Sequence, residues 1–159
     1  MVSRKIKEAL KIVCKKLKGK SIDWVLVGST NLALQGVDVT PHDIDILTDE
    51  KGAFSINELL RDYEVRKVEY KESENLASYL GEFRIDGIKV EVMGDLRIKR
   101  PDGTWYKELV IRGAKNAKIG GTEVPLYPLE KELEGYKILG RVEKVREIEK
   151  TLRRESSRI

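Results

Sequence analysis

The chain contains one cysteine, Cys14, and one histidine, His42. A lone cysteine excludes a disulfide framework, and the pair together exclude a cysteine- or histidine-built metal centre, so any metal ligands must be oxygens. Glutamine is nearly absent, with Gln35 alone, whereas Lys, Arg, Asp and Glu make up 36% of the residues against roughly 25% in average proteins. Such a balance fits a heat-adapted source. Long apolar runs are missing too: the longest are strand-sized, such as Trp24 to Val27, and the N-terminus is charged and amphipathic. Neither a membrane span nor a secretory signal is expected, which points to a soluble, cytoplasmic protein without a membrane partner.

What is present fits one domain. A chain of 159 residues can bury roughly 70% of its unfolded surface, enough for a core without covalent staples. Net charge is +4, but the excess is uneven: Arg4 to Lys20 carries eight basic residues against Glu8 alone. Ile6, Leu10, Val13 and Leu17 recur at helical spacing, so this stretch reads as an amphipathic helix with solvated lysines, and a nucleic-acid partner is not favoured. Cys14 reads as a small apolar residue of that helix.

The expected organisation is an N-terminal helix over 2–19, a mixed core over 22–127 and two closing helices over 128–155. Asp23 to Val27 reads as a buried strand, followed by a short helix that stops near Gly36. Pro41 bars helix before it, and Asp43 to Leu47 then alternates acid with aliphatic, the period of a strand with two unlike faces. A helix is expected within Glu50 to Tyr63, with Ser55 and Glu58 spaced as a capping box. Val65 to Tyr70 reads as a strand, and Gly81 to Ile85 and Ile88 to Met93 as a hairpin about Asp86-Gly87. Weaker strands are expected around Leu109 to Arg112 and Val124 to Tyr127. One helix should open at Pro128 and break at Gly140, and another run from Val142 to about Arg154. The fold class is α/β (α+β): a small mixed sheet flanked by helices.

The chemistry sits in the alternating strand. Asp43 and Asp45 project from one face while Ile44 and Ile46 project from the other. Two carboxylates about 4 Å apart repel by roughly 4 kcal/mol at an effective dielectric of 20, a conflict that a divalent cation removes. Mg²⁺ favours carboxylates, waters and substrate phosphates. Glu91, within Val90-Glu91-Val92, would complete a three-acid cluster if its strand lies beside the Asp43 strand, enough for two metal ions in phosphoryl or nucleotidyl transfer. Gly28-Ser29 marks a sharp strand-to-helix turn suited to phosphate, although no P-loop signature occurs. Taken alone, the alternating acids could be an exposed edge-strand face. His42 should face away from the acids, and Lys89 could meet a phosphate or pair with Glu91. Trp24 reads as core and the role of Trp105 stays open, while Tyr136 and Lys137, which could close over a nucleotide, read as packing and solvated charge and are left outside the site.

The succession Val27-Gly28-Ser29, Asp43-Ile44-Asp45-Ile46 and Val90-Glu91-Val92 resembles the nucleotidyltransferase superfamily, whose best-known member is DNA polymerase beta. Leu32-Ala33-Leu34-Gln35-Gly36, Thr40-Pro41-His42-Asp43, Asp86-Gly87-Ile88-Lys89 and Leu139-Gly140-Arg141-Val142-Glu143-Lys144 are similar to small prokaryotic and thermophile members related to lincosamide-type and AbiEii-type proteins. The resemblance implies a polymerase beta-like fold. It implies that Gly28 and Ser29 contact the triphosphate, that Asp43 and Asp45 bind two Mg²⁺ (or Mn²⁺) ions, and that Glu91 binds the ion activating an acceptor hydroxyl. The implied reaction moves a nucleoside monophosphate from a nucleoside triphosphate to a hydroxyl on a small molecule, protein or RNA, releasing pyrophosphate. Glu91 stands where aspartate is commoner, and the large acceptor-binding domains of many relatives are missing or reduced to two helices, so the acceptor does not carry over. A second copy could complete the cleft. The alternative is a silent nucleotide-binding regulator or antitoxin-type module.

Overall fold

A computed structural model describes residues 1–108 and 115–157. Helix α1 (Arg4–Leu17) starts where the Ser3 hydroxyl accepts the Ile6 N–H, and it buries Ile6, Leu10, Val13 and Leu17. Each such side chain contributes about 1.5–3 kcal/mol by leaving water. Cys14 is buried among them, and desolvation pushes its thiol up to about 12, so it stays a neutral apolar group.

Strand β1 (Trp24–Val27) runs directly into the short helix α2 (Gly28–Leu34). Strand β2 (Ile44–Thr48) then leads to helix α3 (Glu50–Leu59). The cap of α3 differs from expectation. Asp49, not Ser55, occupies the N-cap and accepts the Gly52 N–H at 2.6 Å, because the strand ends at Thr48 and the helix begins at once; Ser55 lies mid-helix. A short 3₁₀ turn (Arg61–Tyr63) precedes strands β3 (Glu64–Glu72), β4 (Leu76–Ile85) and β5 (Ile88–Lys99). Asp86 and Gly87 both take positive φ, 49° and 82°, the backbone that the tight β4–β5 turn requires.

The sheet order is β1-β2-β5-β4-β3, and β6 (Trp105–Lys107) adds to β5. β2 and β5 are parallel; the other pairs are antiparallel. A separate hairpin joins β7 (Asn116–Ile119) to β8 (Thr122–Pro125). The late strand expected over Val124 to Tyr127 therefore sits earlier in the chain, because Gly120 and Gly121 at positive φ close a hairpin ahead of it. Beyond it Leu126 makes a single bridge to Leu26. Leu109 to Arg112 lie outside the described residues. Helices α4 (Leu129–Leu139) and α5 (Val142–Ser156) close the fold, with Gly140 in the left-handed region between them.

One face of the sheet forms the main core: Ile44, Ile46, Val90 and Val92 are fully buried against residues of α1 and α3. The other face carries Val25, Val27, Leu47, Met93 and Leu96 around Tyr127, and it bears the candidate site.

Candidate active site

β2 lies between β1 and β5 in a register that places Val27 opposite Asp45 and Asp45 opposite Glu91. Directly opposed residues share a face, with Cβ atoms about 5 Å apart. Two acids expected on separate stretches of sequence are thus immediate neighbours. Asp43 lies one residue before the paired strand, not within it, and its carbonyl accepts the Thr30 hydroxyl at 2.6 Å. That bond ties the entry of β2 to α2. His42 is exposed.

Burial pushes the Asp45 carboxyl up to about 7, and the charges of Glu91 and Asp43 push in the same direction, with Lys89 opposing. The Lys89 ammonium lies 3.6 Å from Glu91, so in this structure the lysine pairs with the acid. The row also extends further than the sequence suggested, since Glu82 of β4 stands opposite Glu91. Like charges facing one another across a sheet destabilise it.

Gly28 closes the other side. Its φ is +77°, and a Cβ there would lie 2.5 Å from Asp45 Oδ2. The turn and the strand acid are therefore in near contact, and only glycine combines this backbone with this space. The Gly28 N–H is not directed at an open phosphate position. It donates to Glu132 Oε2 at 2.8 Å, and Asn31 Nδ2 donates to the same oxygen at 2.8 Å. Asn31 Nδ2 and Gln35 Nε2 both donate to the Tyr127 carbonyl as well. Burial pushes Glu132 up to about 8, against the two bonds that favour its ionised form. Gly28 therefore provides room and curvature, and Glu132 fixes the turn from α4.

The Ser29 hydroxyl accepts from Lys144 Nζ of α5 at 3.2 Å. A cation thus stands beside the turn. Sequence reasoning did not select Glu132, Lys144 or Glu82. Glu132 carried a signal: Leu129, Leu133 and Tyr136 define the inward stripe of α4, and Glu132 is an acid within it. Lys144 lay within the Leu139–Lys144 stretch that resembles the family, but nothing in its local pattern marks it off from the other lysines of a charged helix.

A recess of about 220 Å³ opens beside Asp45 and Glu91 and runs beneath α4, with Tyr136 in its wall. Among the described residues no group of three or more His, Cys, Asp or Glu side chains is drawn together tightly enough to hold a metal ion as placed. The donor chemistry nonetheless fits a hard cation. Asp43, Asp45 and Glu91 offer only oxygen, and the charge conflict at Asp45 is one that a cation relieves. Among the described residues no helix is long and apolar enough to cross a membrane.

Known proteins share this architecture. The chain aligns with TM1012 of Thermotoga maritima, a protein assigned to the nucleotidyltransferases, at 38% identity over 97% of this chain and 96% of that one, with a TM-score of 0.78. The fold is also that of the lincosamide adenylyltransferase LnuA, solved with lincomycin, at 13% identity over 93% of this chain and 97% of that one (TM-score 0.57). ANT(2'')-Ia, solved with adenylyl-2''-tobramycin, is similar at 13% identity over 92% and 88% (TM-score 0.60). No curated protein matches. The family model for aminoglycoside-2''-adenylyltransferase matches residues 9–153, nearly the whole chain, and the protein belongs to that family of nucleotidyltransferases, enzymes that move a nucleoside monophosphate from a nucleotide to a hydroxyl acceptor.

Proposed function

We propose that the protein is a Mg²⁺-dependent nucleotidyltransferase that uses a nucleoside triphosphate, releases pyrophosphate, and works at the Gly28–Asp45–Glu91 site. The observation that carries this reading is the register: Asp45 lies directly between the Gly28 turn and Glu91. A phosphorus held there has carboxylates on one side and the turn with Lys144 on the other. Asp43, Asp45 and Glu91 would hold the divalent cation, which neutralises phosphate charge and favours ionisation of the attacking hydroxyl.

The protein's own groups divide the remaining work. Lys144 and the Ser29 hydroxyl bind the outer phosphates. Glu132 and Asn31 hold the turn against Asp45, so the α-phosphorus is presented in one orientation. The acceptor oxygen forms a bond to that phosphorus, the bond to the bridging oxygen breaks, pyrophosphate leaves, and the hydroxyl proton passes to solvent.

The test is incubation with ATP, GTP, CTP or UTP labelled at the α-phosphate, with Mg²⁺ or Mn²⁺, following pyrophosphate and the label. The expected result is metal-dependent pyrophosphate release that Asp43→Asn and Asp45→Asn each remove. Nucleotide binding by the unaltered protein without any release, lost in both variants, would instead make it a binding module. Release that survives both substitutions would place the chemistry elsewhere.

A further inference from the structure

The recess beside the site sorts charge in a way that identifies its occupant. It begins at Asp45 and Glu91 and follows the outward row of β5, floored by Leu47, Met93, Leu96 and Ile98 and roofed by Tyr136 and Leu139 of α4. Four acids, Asp45, Glu91, Glu108 and Glu132, are in its wall. Glu108 is 6% exposed and accepts the Tyr127 hydroxyl. Among the described residues lining it, the one cation is Arg141, whereas Lys144 and Ser29 lie outside it.

A triphosphate does not suit such walls, since it would bring several negative charges against carboxylates and aliphatic carbon. The phosphates have their own place at Ser29 and Lys144, which leaves the recess to an organic group. Its volume, about 220 Å³, is below the roughly 300–1,000 Å³ of sites for drug-sized ligands. A single ring with a few substituents fits. A polyamino sugar of several rings exceeds that volume, and its ammonium groups would have to shed water against Leu, Met and Ile side chains.

Resting on the function proposed above, we infer that the recess is the acceptor pocket and that the acceptor is a small alcohol with a compact apolar body, its hydroxyl at Asp45 and Glu91 and a hydrogen-bond donor reaching Glu108. The transfer is the one already balanced: the alcohol oxygen bonds to the α-phosphorus, pyrophosphate departs with the electrons of the broken bond, and the alcohol proton goes to solvent.

The experiment compares benzyl alcohol, 4-(aminomethyl)benzyl alcohol, glycerol and tobramycin as acceptors of label from α-labelled ATP. It uses the full chain and two filled variants, Met93→Trp from the floor and Leu139→Trp from the roof, each checked for folding by its melting transition. Affinity for α,β-methylene ATP is measured in parallel. We expect both benzyl alcohols to exceed glycerol and tobramycin by at least about tenfold in kcat/KM, the aminomethyl compound leading, with at least one folded filled variant losing about tenfold of this, a ΔΔG‡ of roughly 1.4 kcal/mol, while analogue affinity stays within about twofold. A preference for tobramycin, equal rates for benzyl alcohol and glycerol, or weakening of the analogue in step with the loss of transfer would overturn the assignment; the last would give the recess to the nucleobase. Pyrophosphate release into water with no label on any probe overturns the acceptor assignment alone. No pyrophosphate release under any condition removes the transferase reading and this inference with it.

Discussion

The two faces of the β2–β5 seam are built from the same ten residues or so and do opposite things. On one, Ile44, Ile46, Val90 and Val92 are fully buried against α1 and α3. On the other, Asp45 stands opposite Glu91, with Asp43 one residue before the strand, and the Asp45 carboxyl is pushed up to about 7 by burial and like charge. Strand alternation makes the pair inseparable, since any residue that shifts the register moves the acids off their face and the aliphatics out of the core. The comparison teaches that the aliphatic face supplies the stability that the acid face consumes.

Substitutions on the two faces should separate activity from stability. The largest effect expected is on chemistry: Asp45→Asn should lower transfer by at least about 10³-fold, while its melting temperature should rise above that of the parent. The pH dependence follows from the sign of the shift. The Asp45 pKa is raised from 3.8 to about 7 in the folded protein, so between these values the folded state binds more protons than the unfolded one and stability falls as pH rises. The stability gap between Asp45→Asn and the parent should therefore open from about pH 4 and level off above about pH 7. A gap that closes with rising pH would contradict the assigned cause.

On the opposite face Ile46→Ala should cost about 2–5 kcal/mol of stability, read by denaturant unfolding, and leave transfer per folded molecule nearly intact at a permissive temperature. Between these extremes lies Glu132→Ala, which removes the acceptor of the Gly28 N–H and one of the two acceptors of Asn31 Nδ2, leaving it the Tyr127 carbonyl. It should cost about 1–3 kcal/mol and lower kcat as well, because the turn loses its hold against Asp45. Glu132→Gln retains an acceptor for the Gly28 N–H and should recover part of both. The smallest effect is at the cationic edge. Lys144→Ala should raise the KM for nucleotide about tenfold, the worth of one charge-assisted hydrogen bond, with little change in melting temperature.

Much of this was legible in the sequence because local pattern and tertiary placement agree. Alternation in Asp43 to Leu47 and Ile88 to Met93 gave the faces, and Asp86-Gly87 gave the hairpin, whose turn residues have the positive φ that such a turn needs. The amphipathic stripe of α1 buries the residues its spacing indicated. Adjacency was not local information. That β5 lies beside β2 depends on a long-range parallel pairing, and the resemblance to a family, not the spacing, argued for it. The cap of α3 was misplaced because Ser55 and Glu58 have the right spacing, while Asp49 has the right position at the strand end. The β7–β8 hairpin escaped notice although Gly120-Gly121 marks its turn. Glu132 and Lys144 act across about a hundred residues of chain, and only the packing of α4 and α5 on α2 reveals their partners.

The central claim is most directly tested by a crystal structure with α,β-methylene ATP and Mn²⁺, using anomalous scattering to locate the ion. The account predicts manganese bound by Asp43, Asp45 and Glu91, with the outer phosphates at Ser29 and Lys144. Nucleotide bound away from the Gly28 turn, or manganese that engages neither Asp43 nor Asp45, would contradict it.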